Sequence, residues 1–431
     1  MKSTKKRTAV VIGGVRTPFL RAFGDFTPLG TIDLGVSAIK GLFKRFPIAW
    51  KEIDSIIWSG VVLPGATVNI GREILFDLGL PMTIDAYTIT RVCTSSLKAI
   101  TLAVDAIERG DADVIIAGGS DSTSNAEVTM PQSLVHKFAP VVLNPKSGVK
   151  DYFRVLTTLN PIKDLIPQRP AIKERITGEL MGESAEKMAT RNQISREAQD
   201  MFALQSHQRA AKAIATGRFD SEITPVELSK TKAVHADNIV RGNTSLEKLG
   251  KLKPAFAKNG TLTAGNSSTL TDGAAAVLMM EFEKAKSIGF TPLATFRAWS
   301  YDAVDPTDQL LIGPALSMPK AIKKAGMTRN DIDLIDIHEA FAAQVLSVLK
   351  MLASDHFARD RLGFDKAFGF VDPKEINVHG GSVALGHPFA ATGARMVSTM
   401  ANELKFSGKE TALLGICGAG ALSAAAVMEA V

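Results

Sequence analysis

Short, almost wholly apolar runs alternate along the chain with longer stretches in which apolar residues return every three or four positions. Thr8-Ala-Val-Val-Ile-Gly13, Val114-Ile-Ile-Ala-Gly-Gly119 and Leu413-Leu-Gly-Ile-Cys-Gly418 read as strands, and Thr83–Thr90 has the period-two alternation of another. Leu97, Ile100, Val104 and Ile107 share one helical face until Gly110 stops the run. The pattern also repeats. Ala38-Ile-Lys40 is followed by Ile53-Asp-Ser-Ile56, and Ala321-Ile-Lys323 by Ile332-Asp-Leu-Ile335. Each half then supplies a helix and a strand, which suggests an internal duplication, although any two βα units would show as much.

Chemistry enters at the seams of this pattern. Cys93, one of only two cysteines in 431 residues, falls where the strand ending near Thr90 gives way to the helix beginning near Leu97. A sulfur there meets unpaired amides and the positive end of a helix dipole, which predicts a thiol pKa lowered toward physiological pH. A small buried core residue is the competing reading. Cys417 ends an apolar strand and opens the glycine-rich turn Cys417-Gly-Ala-Gly420, where backbone can approach a ligand closely. Neither cysteine has a Cys or His at ligand spacing, so no metal site is expected. Two cysteines in a chain of this size do not make a disulfide-stapled domain.

Among the seven histidines, His387 stands between glycines in Gly380–Gly393 ahead of a helix-like segment that Pro388 is suited to start. His338 ends a strand-like run at Asp336-Ile-His-Glu-Ala-Phe341. Each alone fits a turn histidine as well as a catalytic one.

Together, Cys93-x-Ser-Ser-Leu-Lys-Ala, His338-Glu-Ala-Phe-Ala, Gly386-His-Pro and Cys417-Gly-Ala-Gly resemble, in order and spacing, the four catalytic loops of the thiolase family. The resemblance extends to Gly14–Phe19, Ala117–Ser122, Met181–Glu186, Ser206–Gln208, Thr263–Ser268 and Asp272–Ala276. His at 338, Ser96 and Ala419, the last two in place of family glycines, look most like the β subunit of the fatty-acid oxidation trifunctional complex. The resemblance implies an α/β fold of two similar α/β/α halves: residues 1–130 with 263–287 carrying the nucleophile, and 288–431 carrying His338, His387 and Cys417. A loop domain, 131–262, is expected between them.

It also implies the activity of a 3-ketoacyl-CoA thiolase, which cleaves its substrate with coenzyme A through an acyl-Cys93 intermediate, the last step of β-oxidation. His387 and Cys417 would be the acid/base pair, His338 would hold a water, and the amide of Ala419 would serve an oxyanion. Coenzyme A would be met by Arg241 at its nucleotide end, by Ala264 and Ser268 along the pantetheine arm, and by Met181 and Leu310 around the thioester. For Leu310 a packing role is equally consistent. No resident cofactor is implied, and the absence of a Walker-type loop argues against ATP. The alternatives are a biosynthetic acetoacetyl-CoA thiolase, a ketosynthase, which would not need Cys417, and a catalytically silent lipid-binding or scaffolding subunit.

Composition adds three points. At 45% apolar the chain is long enough for substantial cores, yet no run approaches a membrane span. The start, Met1–Arg7, is basic but leads at once into a strand, so it reads as neither a signal nor a transit peptide, and a cytoplasmic protein is expected. Leu134–Thr177 holds eight Lys/Arg against three Asp/Glu, a local +5 of the chain's +6. With Phe138, Tyr152 and Phe153 interleaved, that stretch suits a solvated loop, an anionic membrane surface or a partner subunit. No nucleic-acid motif accompanies it. The resemblance further implies a homodimer and an α subunit with hydratase and dehydrogenase activities.

Overall fold

The computed structural model describes residues 7–168 and 173–431; Met1–Lys6 of the basic start and residues 169–172 of the basic stretch lie outside the described residues. Twelve strands occur among those described: β1 (Ala9–Arg16), β2 (Leu20–Arg21), β3 (Ser55–Ser59), β4 (Asp85–Ile89), β5 (Val114–Asp121), β6 (Val226–Ser229), β7 (Lys232–Val234), β8 (Thr271–Glu281), β9 (Ala294–Ala303), β10 (Leu334–Ile337), β11 (Thr411–Gly418) and β12 (Leu422–Ala430). Nine of them follow one another in the order β10-β11-β12-β9-β1-β8-β5-β3-β4, with β2 on β8, while β6 and β7 form a separate hairpin.

The order is a repeat. In the first half β1 pairs antiparallel with β8, β8 antiparallel with β5, and β5 parallel with β3. In the second, β9 pairs antiparallel with β12, β12 antiparallel with β11, and β11 parallel with β10. Even β4, parallel on β3, has a vestigial counterpart in the parallel bridge between Ile335 and Ile376. The halves join through two residue pairs of β1 and β9, Val10 with Thr295 and Val11 with Ala294.

Alternate residues of the central strands feed different cores. Val11, Ile115, Val277, Leu414 and Ala426 pack on the helices Ser95–Arg109 and Thr392–Ser407. Their neighbours Val10, Ile116 and Leu278 pack outward in the first half, and Leu413 and Val427 do so in the second. Strands buried on both faces read as continuous apolar runs, which is why the sequence shows them so plainly. Gly110, at φ +86°, closes the Ser95–Arg109 helix in the left-handed conformation that favours glycine. The two central helices occupy equivalent places, each lying between a strand-like segment (β4 or Ile376) and the strand that follows it (β5 or β11).

The stretch expected as one insertion is divided. Ala126–Lys173 is a compact unit by itself, whereas Glu174–Val431 belongs with the residues up to Asn125. Within the small unit, the helices Gln132–Val142 and Val149–Thr157 bury none of their residues, and Thr129 bridges Gln168. Residues 174–262 are tied into the large unit by buried polar contacts. Glu186 accepts the amides of Thr261 and Leu262 at 2.7 and 2.9 Å, and Arg16 holds Asp237 with two bonds of 2.7 and 2.8 Å.

Candidate active site

Cys93 sits in a single 3-10 turn, Val92–Thr94, that leads into the Ser95–Arg109 helix. Val92 just before it has φ +46°, a conformation that a β-branched residue adopts only when its surroundings impose it. The amides of Cys93 itself and of Ala419 lie near enough to the Cys93 sulfur to favour its thiolate. The turn after β11 carries its positive φ at Gly420 (+66°) and Ala421 (+58°) and not at Ala419, so a side chain at 419 costs no backbone strain. Gly420 is anchored by its amide to Glu174 at 2.9 Å.

Across from Cys93 begins the second central helix. His387 is buried, its amide on Thr271 Oγ1 at 3.1 Å and its Nδ1 2.6 Å from Thr392 Oγ1. The Thr392 hydroxyl donates to Pro388 O at 3.1 Å. With its proton so placed, that oxygen accepts from His387 Nδ1–H, which assigns the lone pair of the ring to Nε2. Pro388 precedes the turn Phe389–Ala391 that starts the helix, as its fixed φ allows. The His338 ring lies 4.1 Å from that of His387, centroid to centroid, and the His338 amide donates to Gly415 O of β11 at 2.8 Å. The Nε2 atoms of His338 and His387 have no hydrogen-bond partner among the described residues, although both are buried. Buried polar atoms are rarely left unpaired outside sites where a ligand completes them.

Cys417, next to the last residue of β11, is fully buried and lies close enough to Cys93 for that sulfur to disfavour its ionisation. The structure therefore brings Cys93, His338, His387, Cys417 and Ala419 to one place from both halves. Of the other residues singled out in the sequence, Arg241 is exposed, its amide donating to His207 Nδ1 at 3.2 Å. Ala264 is exposed, and Ser268 is half-buried with its amide on Ala340 O at 3.0 Å. Met181 is half-buried against the second-half core, and Leu310 lies inside that core, 1% exposed. No cluster of His, Cys, Asp or Glu suited to a metal occurs among the described residues.

One expectation is corrected. Burial pushes the Cys93 thiol up to about 11, outweighing the two amides that favour the thiolate. Burial and the nearby Arg395 push His387 down to about 3, and His338 is also lowered by burial and by His387. At rest Cys93 is thus a thiol and His387 a neutral imidazole.

Several residues support the site through contacts that the sequence does not foretell. Asp121, at the end of β5, accepts the amides of Val61 (2.9 Å), Val62 (2.6 Å) and Ala390 (2.6 Å), pinning the His387 loop to the first half. A side chain at Gly119 would come within 2.5 Å of Ala390 O, so only glycine admits this approach. Glu339 accepts from Ser206 Oγ (2.7 Å), Asn377 Nδ2 (2.7 Å) and Val383 N (3.1 Å). Ser96 accepts the amide of Ala394 at 2.8 Å, linking the starts of the two central helices. The motif His338-Glu-Ala-Phe held a clue to Glu339, but its partners are too distant in sequence to be foreseen.

Two sulfurs and two imidazoles gathered where two similar halves meet define a thiolase-type acyltransferase site. Residues 9–283 match the thiolase N-terminal domain and residues 290–430 the thiolase C-terminal domain, and the chain belongs to the thiolase family. It is 42% identical to a 3-ketoacyl-CoA thiolase of Aeromonas salmonicida (strain A449) over 421 residues, 97% of this chain and 96% of the relative. A 3-ketoacyl-CoA thiolase of Yersinia pestis (strain Pestoides F) is 41% identical over 422 residues, with the same coverage. Among solved structures, the acetyl-CoA acetyltransferase of Bacillus anthracis is similar with a TM-score of 0.85 and 32% identity, covering 100% of both chains. That of Syntrophomonas wolfei gives 0.83 and 30%, covering 99% of both.

Proposed function

We propose that the chain is a 3-ketoacyl-CoA thiolase that cleaves its substrate with coenzyme A to acetyl-CoA and an acyl-CoA two carbons shorter, closing the β-oxidation cycle. The observation that carries this reading is the meeting of Cys93, His387 and Cys417 beside two amides aimed at the nucleophile. His387 Nε2 takes the Cys93 proton as sulfur adds to the 3-keto carbon, and the amides of Cys93 and Ala419 receive the oxyanion. Collapse breaks the carbon–carbon bond and expels the acetyl-CoA enolate. Its oxygen is stabilised from the side of His387 and His338, while Cys417 gives its proton to carbon. The proton on His387 returns to Cys417, leaving both neutral. In the second half-reaction His387 takes the thiol proton of coenzyme A, the new thiolate attacks the acyl-cysteine, and the departing Cys93 recovers that proton.

The unperturbed thiol pKa of about 8.5 suits Cys417 to exchange a proton with carbon in both directions once substrate contacts offset its burial. Cys93→Ala is expected to abolish both thiolysis and acyl-enzyme formation. Cys417→Ala should still accept an acyl group from acyl-CoA yet fail to exchange the methyl protons of acetyl-CoA. Full turnover by the Cys93 variant overturns the assignment. A biosynthetic acetoacetyl-CoA thiolase is the second reading, favoured by the likeness to the two acetyltransferases. A chain-length series of 3-ketoacyl-CoA substrates separates the two.

In the same reading, residues 1–130 with 263–287 and residues 288–431 are the catalytic halves, and coenzyme A is met by Met181 and Arg241 of the stretch between them and by Ala264 and Ser268 of the first half. Leu310 acts from behind, by shaping the core. The assembly is a cytoplasmic homodimer that works with an α subunit bearing hydratase and dehydrogenase activities. Co-purification tests the latter. No helix among the described residues is long and apolar enough to cross a membrane. The helices Gln132–Val142 and Val149–Thr157 expose Val135, Val142, Phe153 and Leu156 among basic residues, and this favours peripheral contact with an anionic surface. Equal vesicle flotation of the wild type and a Lys/Arg-to-Gln variant of 134–177 excludes it.

A further inference from the structure

Beneath the two imidazoles lies an arginine that the proposed reaction does not use. Arg395, on the helix Thr392–Ser407, is 2% exposed. Its contacts are long: Nη1 is 3.5 Å from Asp336 Oδ2 and Nη2 is 3.4 Å from Ser382 Oγ. Neither Arg395 Nε nor Asp336 Oδ1 has a partner among the described residues. The chain can do better, since Arg16 grips Asp237 at 2.7 and 2.8 Å and lies over the rings of Phe19 and Phe219. A buried charge with so loose a partner is poorly compensated as a stabilising element. What Arg395 does reach is Ser382, and Ser382 Oγ lies 3.0 Å from His338 Nδ1.

This chain of contacts fixes a proton. The guanidinium can only donate, so Ser382 Oγ accepts from it. The hydroxyl proton of Ser382 then has His338 Nδ1 as its acceptor among the described residues. A ring that accepts at Nδ1 carries its own proton on Nε2. His387 is set the other way, donating from Nδ1 to Thr392 and keeping the lone pair on Nε2. Two rings 4.1 Å apart therefore present opposite faces, one an acceptor and the other a donor.

We propose that Arg395, acting through Ser382, is a positioning residue that holds His338 as its Nε2–H tautomer, so that His338 donates directly to the developing enolate oxygen while His387 serves as base. The positive charge of Arg395 also opposes protonation of His338, which keeps that ring a neutral donor. The inference rests on the thiolase reading given above.

The test uses full-length protein labelled with nitrogen-15 in its histidines. In the wild type, the ring nitrogens of His338, assigned by the loss of their signals in His338→Asn, are expected to report the Nε2–H tautomer. In Ser382→Ala that signature should move toward Nδ1–H or a mixture. The kcat for thiolysis should fall on the order of tenfold to a hundredfold, a part of what losing an oxyanion donor outright costs, while the KM for coenzyme A and the rate of Cys93 alkylation by iodoacetamide stay within about twofold, since neither contact is touched. Arg395→Lys keeps the charge and should show a weaker version of both changes. An Nδ1–H tautomer at His338 in the wild type, or wild-type kcat in Ser382→Ala, overturns the proposal. Should the wild type show the expected tautomer and no thiolysis, the functional reading fails and the positioning stands.

Discussion

Replacing Gly393 with alanine probes how closely the two central helices must approach. A Cβ built there meets Leu97 N at 2.7 Å, Ser96 Oγ at 2.9 Å and Leu97 Cβ at 3.1 Å. The nearest atom is backbone, so no rotamer relieves the clash. Ordinary contact begins at 3.4 Å, and reaching it pushes the start of one helix from the other by about 0.7 Å, on the scale at which misplacement costs on the order of a hundredfold in rate. Gly393 lies outside the positive-φ residues, so the backbone accepts alanine and helix propensity even gains up to about 1 kcal/mol. Overpacking costs about 1–3 kcal/mol. The variant should thus be nearly as stable as the wild type and have a kcat lower by roughly 10- to 100-fold, because Cys93 and His387 are carried by the two separated ends. Steady-state thiolysis with acetyl-CoA quantified by chromatography, alongside urea unfolding, gives both numbers. Adding Ser96→Gly should not rescue activity, since the Leu97 amide still blocks the methyl. A Gly393→Ala enzyme with wild-type kcat, or one whose loss follows global unfolding, refutes the reasoning.

Alkylation of Cys93 by iodoacetamide should rise about tenfold per pH unit from pH 7 toward the thiol's pKa of about 11; a plateau near pH 7 would show a preformed thiolate. With His387 at about 3, the free enzyme's kcat/KM should show no acid limb above about pH 5 from this ring, since its neutral form persists there. Burial raises Asp121 to about 6 from its usual 3.8, so its protonated form stabilises the fold below the unfolded pKa and that contribution is lost as pH rises through 6. Asp121→Asn removes the dependence, and between pH 4.5 and 8 its stability relative to wild type should shift in its favour by about 2 kcal/mol; a difference in urea unfolding that does not vary with pH contradicts this. The asparagine also turns a donor toward the amide of Ala390, so kcat should fall even where stability recovers.

The parts of this molecule that follow from local pattern are legible in the sequence. Leu97, Ile100, Val104 and Ile107 mark a helix that runs from Ser95 to Arg109, and the apolar run before Cys417 is β11. The paired order of the strands matches the repeat seen at Ile53–Ile56 and Ile332–Ile335. What local pattern does not contain is depth. The pKa of Cys93 depends on what covers it, and a helix end alone suggested the wrong direction. Asp121, Ser382 and Arg395 act on groups that lie far along the chain, as with Asp121 and Ala390, 269 residues apart. The charge and texture of 131–262 marked a departure from the halves, but only packing shows that Ala126–Lys173 alone stands as its own compact unit.

The matched places of the helices Ser95–Arg109 and Thr392–Ser407 carry an evolutionary consequence. Two identical half-chains assembled around an axis would have to offer the same residue from both sides, two sulfurs or two imidazoles. Once both copies are encoded in one polypeptide, each can mutate without the other. An acid and a base can then face one another where a symmetric pair would set like against like.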